Sequence, residues 1–175
     1  MAKINVENTA VVNAAADRAW EIVGPTFVDI YVWGPGIYRS WKNESIEKNF
    51  PDAPAGGRFC DLGKQGIFDE RIMHYDKDRF EITWSAESDK LPGFISGLRN
   101  DVRVEAIDDS SCRISSHVSA NALGPIGFLL ARVIQKRFAK TLPEFLTSWK
   151  LYAETGQLTE SKQREMAQNV SSIKT

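Results

Sequence analysis

A carboxylate set among apolar side chains on a strand is the most chemically suggestive feature of this sequence. In Ile67-Phe68-Asp69-Glu70-Arg71-Ile72 the period-two alternation of a strand allows two settings. If Glu70 shares the face of Phe68 and Ile72, loss of hydration favours its protonated form and equips it as a general acid or base. If Ile67, Met73 and Tyr75 point inward instead, Glu70 stands in solvent or pairs with a neighbouring arginine. Elsewhere Asn8, Asn100 and Ser116 interrupt runs whose alternate members are apolar. A few such groups are what a largely apolar pocket uses to orient a ligand. Tyr38 and Tyr75 are further candidates for moving protons.

Other reactive residues offer less. His74 lies four residues beyond Glu70, about 13 Å along a strand, beside the polar turn Asp76-Lys77-Asp78, and reads as a surface histidine. His117 falls on the polar side of its strand. Neither histidine, nor Cys60 or Cys112, has metal-ligand or C-x-x-C spacing, so neither a metal site nor a cofactor is expected. There is no G-x-S-x-G elbow or G-x-G-x-x-G turn. Gly63-Lys64 is followed by Gln65, which rules out the usual phosphate loop.

Composition narrows the classes further. The 175 residues carry 22 Lys+Arg against 23 Asp+Glu, a formal charge of −1, without a polybasic or acidic block. That gives no footprint for nucleic acid, a membrane surface or a charged tail partner. No apolar run nears the roughly 18 residues of a membrane span, and the N-terminus lacks a signal-peptide pattern. A cytoplasmic protein with reduced thiols and no stable membrane insertion is expected. Oligomeric state is open. Aromatic residues make up 10% of the chain, 9 Phe, 5 Trp and 4 Tyr, and these rings either fill a core or line a hole.

The elements that must position these residues follow from periodicity. Residues 3–13 alternate as a half-buried strand. Ala15, Ala19, Ile22 and Val23 then form a helical stripe with Trp20 at its margin, stopped by Gly24-Pro25. A second short helix over 26–32 ends at Gly34-Pro35-Gly36. Strands are expected over 37–49, 57–62, 67–75, 79–87, 98–106 and 111–121, with Phe80 and Trp84 on one face of the fourth of these. From Gly124-Pro125 onward, Leu130, Ile134, Phe138, Leu142, Phe145, Trp149 and Tyr152 recur at helical spacing. Pro143 is expected to kink or break that helix, and Thr141-Leu142-Pro143-Glu144 fits a capping box that would restart it. The fold class is α+β: a curved seven-stranded antiparallel sheet around a long C-terminal helix, with two short helices after the first strand. Residues 1–154 form the domain and 155–175 a polar tail or helix extension.

One helix cannot cover the inner face of seven strands, so the sheet curls around it and leaves a space. Phe68, Trp84, Phe138 and Phe145 either line that space, with Asn100 and Ser116 as orienting groups, or fill it.

Several segments resemble the START-like, or SRPBCC, superfamily, which includes the polyketide cyclase/dehydrase-like proteins, the birch-pollen-allergen group and lipid-transfer domains. They are Ala14-Ala15-Ala16-Asp17-Arg18-Ala19-Trp20-Glu21 after the first strand, Ala55-Gly56-Gly57-Arg58-Phe59, Phe68-Asp69-Glu70-Arg71-Ile72 with Tyr75-Asp76, and Leu146 to Glu154. The resemblance spans about residues 3–154. It departs from the allergen group in reducing the glycine-rich loop to Gly56-Gly57. It implies a helix-grip fold around an apolar cavity that carries, senses or transforms hydrophobic ligands, without implying one reaction. In that fold Tyr31, Trp33, Tyr38 and Trp41 would flank the cavity mouth, as would the loop around Leu91, Phe94 and Ile95. The leading expectation is binding of a small hydrophobic molecule, aromatic or polyketide-like. A cyclase, dehydratase or lyase using Glu70 is the alternative, and a partner-binding domain with a filled core is the third reading.

Overall fold

A computed structural model describes the backbone of residues 1–172 and the side chains of residues 1–168. Strand β1 (Ala2–Val12) buries Ile4 and Val12 while Lys3, Asn5, Glu7 and Thr9 stay exposed, as its alternation dictates. Helix α1 (Ala16–Val23) turns Ala19, Trp20, Ile22 and Val23 into the core. Trp20 is thus inside rather than at the margin. A 3-10 turn (Phe27–Val32) follows, then β2 (Arg39–Lys42), β3 (Gly57–Asp61), β4 (Ile67–Asp76), β5 (Glu81–Glu87), β6 (Ile95–Asp108) and β7 (Ser111–Ala122). The order β1-β7-β6-β5-β4-β3-β2 makes one antiparallel sheet, with the long helix α2 (Gly124–Thr155) over it and a further helix α3 (Glu160–Ser172) at the end.

The strand expected over 37–49 shrinks to four residues because Asn43 diverts the chain. Its Oδ1 accepts from the amide and hydroxyl of Ser45 (3.0 and 2.6 Å), while its Nδ2 donates to Asp69 (3.0 Å). An Asx turn of this kind ends a ladder. Within β4 the pairing passes from Ile72↔Trp84 to His74↔Thr83, so Met73 is an extra, bulged residue. Phe68, Glu70 and Ile72 therefore face inward, and so does Tyr75. His74, placed on the side of Glu70 by unbroken alternation, stands on the outer face. Phe80 departs from its expected strand as well: it sits in the β4–β5 turn at φ 54°, and its ring stacks on Trp20 at 5.6 Å.

Pro143 does not break α2, which runs continuously through it. The Thr141 hydroxyl bonds back to the carbonyls of Arg137 and Phe138 (both 3.3 Å) instead of capping a new helix. The buried stripe begins at Gly127 and Ala131, while Leu130 is exposed. α2 makes its close backbone approaches to β1 and β7. Small residues permit this: Ile4, Ala120, Ala122 and Ala131 form one apolar cluster, and a β-carbon on Gly127 would meet the Ala122 carbonyl carbon at 2.7 Å. The larger core lies toward the other end of the sheet. There Trp149, fully buried, donates its indole N–H to Ala19 (3.0 Å) among residues from α1, the 3-10 turn and β3–β7. After α2 ends at Gly156, Lys162 of α3 lies fully buried, donating to the Ile37 carbonyl (2.6 Å) and Glu165 (2.5 Å); Glu165 also accepts from the Gly36 amide (2.8 Å).

Candidate functional site

The inner face of the sheet carries two polar groupings, each placed by strand register. The first joins β3 to β4. Arg58 lies opposite Glu70, and its Nε donates to Glu70 Oε2 at 2.6 Å. Close approach of the two strands requires glycine beforehand, since a β-carbon on Gly57 would meet the Glu70 carbonyl oxygen at 2.4 Å. The guanidinium also donates to the Phe27 carbonyl, lies 3.7 Å over the Phe27 ring and is 5.4 Å from that of Trp84. An arginine can be this deeply buried only because hydrogen bonds, a carboxylate and ring faces replace its water. Cys60, two residues along β3, directs its thiol to Glu70 Oε2 at 3.5 Å. Burial, opposed by Arg58 and reinforced by Glu70, pushes that thiol up to about 12, so it stays neutral at physiological pH and is no nucleophile.

Glu70 is therefore an inward-facing carboxylate committed to a permanent cation. Its side chain still retains 13% of its exposure, so the pair borders accessible space while Arg58 does not.

The second grouping lies toward the other side of the sheet. Ser116 on β7, completely buried, donates its hydroxyl to Asn100 Oδ1 on β6 at 2.7 Å. This leaves the Asn100 Nδ2 donor without a partner among the described residues. Asn8, opposite Ser116 on β1, bonds only to its neighbour's amide, Thr9 (2.9 Å). Around these groups Phe68, Leu98, Asn100, Val118 and Phe138 are half-buried. These side chains lie on the face toward α2 yet retain accessible surface, and the backbone contacts of α2 with the sheet are concentrated on β1 and β7.

The aromatic candidates separate. Trp84 is buried against Phe27 (5.6 Å) and Arg58. Trp33 is buried beside Phe145 (5.0 Å) and Trp149 (6.3 Å), away from any mouth. Its indole N–H is enclosed without an acceptor among the described residues. Phe145 packs on the large core and Phe138 on the small cluster. Tyr38 lies against Gly63. Phe94 is half-buried in the β5–β6 loop, its carbonyl accepting from Leu123 (2.7 Å). Trp41, expected at the mouth, is on the outer face, paired across the ladder with Phe59 (5.7 Å between rings) and overlain by Arg39. The parity of β2 against inward-facing Cys60 and Arg58 forces that placement.

The outer face has its own groove, of about 310 Å³, walled by His74, Glu81, Thr83, Arg99, Asp101, Arg103 and His117. Its carboxylates are paired, Asp101 with Arg99 and Glu81 with Arg103, with His117 3.4 Å from Asp101 and His74 3.6 Å from Glu81. Among the described residues no cluster of three or more His, Cys, Asp or Glu could hold a metal ion, and no helix is long and apolar enough to cross a membrane.

This architecture recurs in solved structures. A START superfamily protein from Mycobacterium smegmatis is 16% identical with a TM-score of 0.67, over 87% of this chain and 99% of that one. The chain has the START/SRPBCC helix-grip fold. The same fold is shared by the di-domain ARO/CYC BexL from the BE-7585A biosynthetic pathway (14% identity, TM-score 0.64, 83% of this chain and 45% of that one). It is shared too by a norcoclaurine synthase point mutant from Thalictrum flavum, solved with a transition-state analogue (13%, 0.64, 86% and 95%). No family model matches the sequence, and no curated protein matches it.

Within this helix-grip fold, Arg58 is the residue sequence reasoning overlooked as part of the site. The signal was available. Arg58 and Cys60 alternate with Phe59 and Asp61, and a hairpin between 57–61 and 67–71 brings Arg58 opposite Glu70. Leu98 and Val118, unremarkable as sequence, complete the half-buried inner wall.

Proposed function

We propose that the protein binds a small, largely apolar molecule between the inner face of β4–β7 and α2. One observation carries this reading: α2 closes on β1 and β7, while Phe68, Leu98, Asn100, Val118 and Phe138 keep accessible surface although they face the helix. Apolar walls supply affinity at about 25 cal/mol per Å² buried. Asn100 Nδ2, held in place by the Ser116 bond, is the donor available to an acceptor on the ligand. An aromatic or polyketide-like molecule fits the rings of Phe68 and Phe138. On this reading the protein works in the cytoplasm, as a binder rather than a partner of nucleic acid.

The alternative, a cyclase, dehydratase or lyase with Glu70 as acid/base, draws support from the accessible edge of Glu70. The Arg58 bond fixes the position of its carboxylate.

Native mass spectrometry of the purified protein, with titration of an environment-sensitive apolar dye, tests the binder. A co-purifying molecule, or dye binding weakened by Asn100→Leu and Leu98→Trp, is the expected result. An empty protein that binds no apolar probe overturns it. For the enzyme reading, unchanged turnover of an identified substrate by Glu70→Gln would remove the proposed proton carrier.

A further inference from the structure

The first four turns of α2 present a surface that the binding cleft does not use. Ile126 (63% exposed), Phe128 (67%), Leu129 (74%) and Val133 (62%) project into solvent from the first turns. Leu123 and Met1 are exposed at the same end, since Ala2 pairs with Ala122 immediately before the helix. Arg132 lies within this stretch, the following turns carry Lys136, Arg137 and Lys140, and residues 124–143 contain no acidic side chain. Among the described residues none of the four cations has a carboxylate partner, whereas ten Lys or Arg pairs with a carboxylate occur elsewhere.

Order along the axis is what gives the surface a direction. At 1.5 Å per residue the apolar section from Ile126 to Val133 is about 10 Å long, and the cationic section to Lys140 continues for about another 10 Å. At 100° per residue, Ile126, Leu129, Val133, Lys136, Arg137 and Lys140 share roughly one outward half of the helix, opposite Gly127, Ala131, Ile134 and Phe138. An apolar tip of that depth followed by a cationic collar matches the profile of a bilayer leaflet, acyl chains beneath and anionic headgroups above.

We propose that this end of α2 docks the protein peripherally on an anionic lipid surface, its tip entering to about the acyl boundary. The sequence, with its balanced overall charge, gave no hint of a membrane surface; the collar emerges only when the cations are placed on one exposed face. A second copy of the chain is the other occupant with apolar chemistry. A two-fold contact through this surface would bring no carboxylate to these cations, since residues 124–143 contain none. Docking is independent of whether a ligand occupies the cleft.

Vesicle co-sedimentation of the full chain tests the proposal, with phosphatidylcholine alone against phosphatidylcholine containing one third phosphatidylglycerol. Expected is binding to the anionic vesicles that weakens with salt and roughly fivefold per cation removed, as in Lys136→Gln and Arg137→Gln. Phe128→Ser with Leu129→Ser should abolish it while leaving the circular dichroism spectrum and Tm in place. Absence of binding to either vesicle, binding indifferent to lipid charge, or binding untouched by the double substitution overturns it. So does a dimer in solution that the double substitution converts to a monomer. Retained dye binding in a vesicle-blind protein would leave the cleft reading intact and remove only this one.

Discussion

The two ends of α2 are built on opposite plans. Around Trp149 every partner is fixed: the indole bonds to Ala19, Phe145 and Trp33 lean on its ring system, and Leu146 and Ala153 are buried beside it. Around Phe128 the helix meets the sheet through Gly127, Ala131, Ile134 and Phe138 and leaves Ile126, Phe128, Leu129 and Val133 outside. The closed end holds the molecule together. The open end buries mostly small side chains and leaves large apolar ones exposed, the surface for which docking is proposed above.

Substitutions can break or sharpen that contrast. The largest effect belongs to Trp149→Ala, which empties the closed end and forfeits a buried hydrogen bond. We expect a loss of about 3–5 kcal/mol in urea unfolding. A loss under 1 kcal/mol would mean that the closed end is not the mechanical centre described here.

Next comes Glu70→Ala, which leaves Arg58 buried without its carboxylate; about 3 kcal/mol is expected, at the low end for a broken buried pair because Glu70 keeps an accessible edge. Replacing both, as Arg58→Met with Glu70→Leu, should recover most of that loss. Failure of the recovery would point to a role for Arg58 beyond its partner, through Phe27 and Trp84.

A smaller effect appears in alkali. Burial pushes Cys60 up to about 12 from 9.0, and Tyr75, by burial and then the charges of Asp52 and Glu21, up to about 12 from 10.0; burial and Glu154 raise Cys112 as well. All three belong to the closed end. Raised folded-state values mean that the unfolded chain ionises first. Stability is therefore fully present below about pH 9 and declines between pH 9 and about 12. Denaturant titrations across that window should show the slope, and Cys60→Ala should flatten part of it.

The smallest effect is at the open end: Phe128→Ser and Leu129→Ser should shift stability by no more than about 0.5 kcal/mol, in the range of ordinary surface changes. A loss of several kcal/mol would show that these side chains pack in solution.

The sequence made part of this legible, for reasons that are local. Period-two alternation needs no knowledge of the fold, so Ile4 and Val12, Asn100 and Val102, Cys112 and Ser116 read as inward-facing directly, and in the structure they are. The seven strands and the long helix followed from the same periodicities. Whether Asn100 and Ser116 meet a ligand is a separate matter, carried by the proposal above.

What escaped depends on single residues or distant ones. The bulge at Met73 has no compositional mark, yet it lets Tyr75 face inward with Phe68, Glu70 and Ile72 and moves His74 outside, while Ile67 and Met73, expected inward on the other reading, are exposed. Phe80 adopts a left-handed backbone in a position that reads as strand, where its ring finds Trp20. Arg58 is inward against the usual preference of its type, and only its register with Glu70 makes that tolerable. Trp33 and Trp41 lie eight residues apart in irregular chain, where no period fixes a face; the 3-10 turn carries one into the core and the parity of β2 carries the other out. In α2 the inward stripe was readable, but apolar residues on the outward side obey the same helical geometry and carry no sign of what they face.

The contact between α3 and the loop after Trp33 links chain positions 125 residues apart, Lys162 to Ile37. On the ribosome Lys162 follows Ile37 by 125 residues, at a pace of roughly 5–20 residues per second. The loop that follows Trp33 must wait several seconds for the lysine that fastens it. During that interval the nascent chain holds most of its sheet and none of this latch. Helix α3 thus secures the loop beside a core that the earlier residues supply.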